Sequence, residues 1–190
     1  MNLIVQDLAV GYRGQVIASG ISLQAGPGDC ILVCGLNGSG KTTLLRTLAG
    51  LLQPVSGTFR ASGRVVMVPT RIPRVKGFTV KEFLCLATGV APADARRAIE
   101  EAALGELTDR DITTLSDGQF QRACIATALC RQAAVILLDE PTAFLDYQAK
   151  EQVLNLLPDL ARRTGAAILF TSHDLDAARR VATRETFLGM

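Results

Sequence analysis

CILVCGLNGSGKTTLL, Cys30–Leu45, says most about how this chain folds. Five apolar, β-forming residues run into GLNGSGKT, Gly35–Thr42, and a helix-forming segment follows. A Gly-x-x-x-x-Gly-Lys-[Ser/Thr] pattern between a strand and a helix is the form of a phosphate loop. The glycines allow the backbone N–H groups from Asn37 through Gly38, Ser39, Gly40, Lys41, Thr42 and Thr43 to curl around phosphate oxygens at the positive end of the helix. Lys41 is expected to reach the β- and γ-phosphates and Thr42 to ligate Mg²⁺. A nucleotide site is therefore the first expectation.

Downstream, AVILLDEPT, Ala134–Thr142, ends an apolar strand in two consecutive carboxylates. A buried parallel strand avoids such residues except at its carboxyl end, where open α/β sheets bind ligands. Asp139 is expected to hold Mg²⁺ through water, and Glu140, pointing the other way from the strand tip, to polarise an attacking water. His173, the single histidine, follows another strand-like run, AAILFTS, at the same predicted edge. From there an imidazole is placed to bind a γ-phosphate and orient the water of Glu140.

The composition bounds the rest. At 190 residues and 48% apolar content the chain is long enough to bury a sizeable core. The longest apolar runs are strand-sized, well below the roughly 18 residues of a membrane span, and the N-terminal residues lack the pattern of a secretory peptide. The expectation is a cytoplasmic protein. A net charge of +2, with no basic run, gives no reason to expect nucleic acid as a partner. Five cysteines without Cys-x-x-Cys spacing read as buried reduced thiols.

Along the chain, short β-type runs with Gly-rich turns open the sequence, a helix is expected from Lys41 to about Leu51, and a strand pair is expected near GTFRASGRVVMVP. From about Arg71 to Arg131 the spacing turns helical, with capping-box patterns at Thr79–Glu82 and Ser116–Gln119. Strand–helix units then resume: AVILLDE, a helix from about Tyr147 to Arg163 stopped by Gly165, AAILFTS, the helix DLDAARRVA and a last short strand. This gives an α/β class with a helical insertion. One segment in it stands apart: LSDGQ, Leu115–Gln119, looks like a helix N-terminus with exposed donors, yet has no phosphate loop beside it in sequence.

These motifs in this order resemble the nucleotide-binding subunits of ATP-binding-cassette (ABC) transporters, over essentially the whole chain. The resemblance implies a P-loop NTPase (RecA-like) fold: a mainly parallel core, an N-terminal antiparallel portion and a short inserted helical subdomain, as one domain over residues 1–190. Residues 1–70 and 132–190 would form the nucleotide-binding core and 71–131 the helical signature subdomain. It aligns Tyr12 with the family's adenine-stacking aromatic, Glu140 with its catalytic glutamate, Leu145-Asp146 with its D-loop, His173 with its switch histidine and LSDGQ with its signature. Two such domains pack head to tail in that family, so Ser116, Gly118 and Gln119 would contact ATP held by the partner subunit, a second copy or a homologous ATPase. The implied function is ATP hydrolysis, with Mg²⁺, driving a separate membrane permease from the inner face of the cell membrane.

Three departures from the family pattern bear on this. Thr70 stands where the family has a glutamine that approaches Mg²⁺ and the attacking water; the shorter hydroxyl implies either slower hydrolysis or coupling to a partner, or a link partly taken over by Arg71. Asp117 replaces a glycine, placing a carboxylate near a partner's triphosphate. The insertion is short, and no C-terminal regulatory domain is expected. Cargo and direction are not encoded in the motifs: GFTVKEFL and the region after DEPTAFLD resemble ATPases of metal-chelate or vitamin uptake, and export stays open. A non-transport ABC ATPase acting as a switch on a soluble partner, and a weakly catalytic subunit of an asymmetric pair, are the other readings.

Overall fold

The computed structural model describes residues 1–189. Strands β1 (Leu3–Tyr12), β2 (Gln15–Ala25) and β4 (Ser56–Ala61) form an antiparallel sheet in the order β2-β1-β4. Strands β3 (Cys30–Cys34), β5 (Val65–Val68), β6 (Val135–Leu138), β7 (Ala167–Phe170) and β8 (Arg184–Phe187) form a parallel sheet in the order β5-β6-β7-β3-β8. The mainly parallel core with an N-terminal antiparallel portion is as the sequence implied.

Burial explains the division. Every residue of β3, β6 and β7 is buried, because the parallel sheet is covered on both faces. Ile31, Val33, Val135, Leu137, Ala167 and Leu169 pack toward the antiparallel sheet and helix α1 (Lys41–Leu48). Their neighbours Cys30, Leu32, Cys34, Ile136, Leu138, Ile168 and Phe170 pack on the opposite face. That face carries α2 (Val80–Thr88), α3 (Pro92–Glu101), α4 (Asp117–Cys130) and α5 (Tyr147–Thr164), with α6 (Leu175–Val181) beside them. The core of the helical insertion is thus continuous with one face of the sheet.

Two expectations need correction. GTFRASGRVVMVP does not form a strand pair: β4 joins β1 antiparallel, whereas β5 lies parallel to β6. Ser56–Ala61 leaves most of its residues exposed and suits the edge of a half-wet sheet, while the unbroken apolar run Val65–Val68 is drawn to the doubly covered one. Helix α1 stops at Leu48 rather than near Leu51, because Gly50 turns left-handed (φ 75°) and Leu51 N–H returns to the Arg46 carbonyl at 2.9 Å. Both capping boxes form, at Thr79/Glu82 and Ser116/Gln119, and Gly165 ends α5 with φ 70°.

Register brings the chemistry together. Val68, Leu138 and Phe170 are level across β5, β6 and β7, and Leu32 of β3 pairs with Phe170. The residues that follow these strands, Gly35 onward, Asp139-Glu140 and Thr171–His173, therefore share one edge of the sheet.

Candidate nucleotide site

The phosphate loop starts at Gly35, where a Cβ would lie 2.3 Å from Ser39 Oγ. It closes at Gly40 (φ 94°), where a Cβ would press at 3.1 Å on Ile17 Cγ2 of β2. Helices α2, α4, α5 and α6 begin with side-chain caps from Thr79, Ser116, Asp146 and Asp174. Helix α1 has none, so its first-turn N–H groups stay directed into the loop. Among the described residues Ser39 Oγ has no hydrogen-bond partner, though it is buried there, and these donors fit an anion. Within the loop, Ser39 N–H donates to Leu36 O (3.1 Å), so this member of the expected ring of donors serves the loop's own turn. Lys41 Nζ folds back to donate to Gly35 O (2.8 Å) and Leu36 O (3.0 Å). A bound phosphate would replace neutral carbonyls with charged oxygens, a stronger partner for an ammonium.

The two carboxylates at the end of β6 diverge. Asp139 is buried, and its Oδ1 accepts from Thr42 Oγ1 and from Thr171 Oγ1, both at 3.1 Å. Glu140 takes a left-handed backbone (φ 52°), which costs a non-glycine residue roughly 1 kcal/mol and occurs where surroundings over-determine the conformation. Thr171 supplies that determination: its hydroxyl accepts from Glu140 N–H at 2.8 Å while donating to Asp139. Glu140 turns toward the loop, where its Oε1 meets His173 Nε2 at 2.6 Å.

Ile17, Asn37, Gly38, Gly40, Lys41, Thr42, Thr43, Glu140 and His173 line one open cleft of about 480 Å³. Asp139 borders a second hollow on the other side, with Arg46, Met67, Pro69, Thr70 and Arg71. Thr70 thus sits on the Asp139 side, and the Arg71 guanidinium stacks 4.3 Å above the Phe144 ring, joining the segment after β5 to the loop after β6. Tyr12 ends β1 outside the first cleft, with Arg46 Nη1 donating to its hydroxyl at 3.2 Å.

Ser116, Gly118 and Gln119 do not line that cleft. Ser116 Oγ accepts from Gln119 N–H (3.2 Å) and Gln119 Oε1 accepts from Ser116 N–H (3.0 Å). Among the described residues the Ser116 hydroxyl has no acceptor, so its proton is available to donate outward. Gly118 has a packing reason of its own, since a Cβ there would come 2.8 Å from Ala149 Cβ on α5. Asp117 is not a bare charge: Arg74 Nη2 pairs with its Oδ1 at 2.5 Å.

A family model described as ABC transporter matches residues 18–143, a span that contains the phosphate loop, the signature segment and the β6 carboxylates. The chain belongs to the ABC transporter family. The zinc import ATP-binding protein ZnuC of Cereibacter sphaeroides is 38% identical over 190 residues, 97% of this chain and 78% of that protein. Its namesake in Paracoccus denitrificans is 39% identical over 183 residues, 94% of this chain and 72% of that one. A structure described as the inward-facing form of an ABC transporter of metal-chelate type superposes with TM-score 0.87 at 29% identity, covering 99% of this chain and 80% of that one. The protein is an ATP-binding and ATP-hydrolysing subunit of an ABC transporter.

Sequence reasoning missed three residues here. The Thr171 bridge left a faint trace, a hydroxyl directly after a buried strand. Ile17, an apolar residue 40% exposed on β2, left none, because its partner Gly40 is distant in sequence. Arg74 left none either, because its partner Asp117 is distant in sequence.

Proposed function

We propose that the cleft holds Mg-ATP for hydrolysis that powers a metal-importing permease, and that the convergence of Lys41, Glu140 and His173 from three separate elements on one cavity carries the reading. The α1 N–H groups and Lys41 bind the β- and γ-phosphates. Thr42 and Asp139 present hard oxygen donors 3.1 Å apart, and no cluster of three His, Cys, Asp or Glu exists among the described residues. That donor set suits a magnesium ion that relies on nucleotide oxygens and water for its remaining ligands. Magnesium bound there would neutralise charge on the transferred phosphate.

Glu140 orients and deprotonates the attacking water, its backbone held at the strand tip by the Thr171 hydroxyl and its carboxylate beside His173. His173 has its ring beside both Glu140 and the loop, so it contacts the γ-phosphate and aligns the same water. Thr70 contributes to the Asp139 side with a short hydroxyl in place of a longer amide. Tyr12 stacks on the base at the outer rim, with Ile17 bordering the loop.

Ser116, Gly118 and Gln119 complete the site of a second subunit packed head to tail, because they lie outside the cleft of their own chain. In this reading residues 1–70 and 132–190 are the nucleotide-binding core, and 71–131 the signature subdomain through which a permease is moved. No helix among the described residues is long and apolar enough to cross a membrane. The permease then supplies the membrane attachment, at the cytoplasmic face. Import of a metal ion or its chelate is supported by relatives named for zinc import and by the metal-chelate transporter fold match.

The test is Glu140→Gln with ATP and Mg²⁺. The amide keeps the shape and loses the base, so ATP is bound but not turned over, and light scattering reports a dimer. Parental turnover in that variant removes the assignment of Glu140. For cargo, a permease that co-purifies with the chain, reconstituted with it, should show ATPase stimulated by zinc or another divalent metal.

A further inference from the structure

The segment between β5 and α2 is stitched to the signature helix by one side chain. Arg74 Nη1 donates to Leu115 O at 2.7 Å, its Nη2 pairs with Asp117 Oδ1 at 2.5 Å, and its guanidinium lies 4.6 Å above the Phe120 ring. These three partners span the entry to α4: the carbonyl before the cap, the first helical carboxylate and a ring one turn on. The Arg74 side chain is 26% exposed and that of Asp117 71%. The arginine is packed in place and the carboxylate faces outward.

A carboxylate at the first position of a helix stabilises the helix but opposes any anion approaching the same end. Ser116, whose hydroxyl proton is free, adjoins it, so whatever meets Ser116 also meets Asp117. The guanidinium beside Asp117 cancels that charge and leaves the helix end attractive to phosphate.

We propose that Arg74 is a positioning residue for the signature helix: it neutralises Asp117 and fixes the Leu115–Asp117 turn, so that this end of α4 can close on nucleotide held by a second copy. The inference rests on the reading that Ser116 faces a partner's nucleotide. Arg74 sits in the stretch between β5, at the sheet edge, and α2, with Gly77 N–H donating to Asp111 (2.9 Å) and Ile112 N–H to Phe78 O (2.9 Å) along the same seam. Displacement of this stretch therefore moves the signature turn with it.

The experiment uses the full chain carrying Glu140→Gln and measures ATP-dependent dimerisation by sedimentation, in low and high salt, with ATP affinity by calorimetry as a control. Adding Arg74→Ala should weaken the dimer about tenfold in low salt, since the uncovered charge acts at both interfaces, and less in high salt. ATP binding to the monomer should hold, because Arg74 does not line the phosphate-loop cleft. Adding Asp117→Gly to Arg74→Ala should return the dimer to within about threefold of the parent, and Asp117→Gly alone should tighten it. Arg74→Gln keeps a donor for Leu115 O without the charge, and should weaken the dimer as Arg74→Ala does even if the alanine variant folds poorly. Dimerisation unchanged in Arg74→Gln, or a loss that Asp117→Gly does not restore, overturns the pairing. A Glu140→Gln parent that binds ATP and stays monomeric removes the dimer reading itself, and the inference with it.

Discussion

Replacing Thr171 by valine keeps the shape of a fully buried side chain and deletes one hydroxyl. That hydroxyl accepts from Glu140 N–H at 2.8 Å and donates to the buried Asp139 carboxylate at 3.1 Å, so two hydrogen bonds vanish and a backbone donor is left without its partner. An unmade buried bond costs about 1–3 kcal/mol, and one to a charged group is at the upper end, which gives a loss of about 2–4 kcal/mol. For a chain of this size the melting temperature should fall by about 5–15 °C. Chemistry should suffer separately. The left-handed backbone of Glu140 loses the contact that holds it, and misplacement of a general base by a fraction of an ångström reduces kcat by about 10- to 100-fold. ATP affinity should stay within about threefold, because Lys41 and the α1 N–H groups are untouched. Calorimetric unfolding, ATP titration and steady-state turnover check the three statements, and Thr171→Ser should recover most of each. A valine variant that melts and turns over like the parent refutes the role of the bridge.

Lys41→Ala should lose most ATP affinity, since among the described residues the ammonium meets only neutral loop carbonyls and is left to a phosphate as its charged partner; unchanged binding by calorimetry counts against the phosphate loop. Gly118→Ala puts a methyl 2.8 Å from Ala149 Cβ, an overpacking worth about 1–3 kcal/mol in urea unfolding, and Ala149→Gly in the same chain should relieve it. Burial pushes the thiols of Cys30, helped by the Asp29 carboxylate, and Cys124 up from 9.0 to about 12. The folded chain holds these protons more tightly than the unfolded one, so their contribution is complete below pH 9.0 and is lost as pH rises toward about 12. Urea unfolding from neutral pH to pH 10.5 should show that decline, with a flatter slope in Cys30→Ala/Cys124→Ala.

Whatever depends on local spacing was legible in the amino-acid order alone. The phosphate loop, both capping boxes, the stop at Gly165 and the alternation of strand and helix are each written within a few consecutive residues, because backbone geometry and hydrogen-bond reach are short-range. Lys41, Asp139, Glu140 and His173 could be picked out because they lie just past buried strands, at the sheet edge where a charged or imidazole side chain can meet a ligand. Which partner a strand takes was not legible: β4 and β5 are separated by three residues, yet lie in different sheets, since the choice depends on what covers each face. The same holds for the contacts that tune the site. Thr171 between the Asp139 carboxylate and the Glu140 N–H, Arg74 over Asp117, Ile17 under Gly40 and Ala149 against Gly118 each join residues far apart in the chain. Only the packing of the two sheets and the helical layer, driven by burial that carries no address in sequence, brings them within bonding distance.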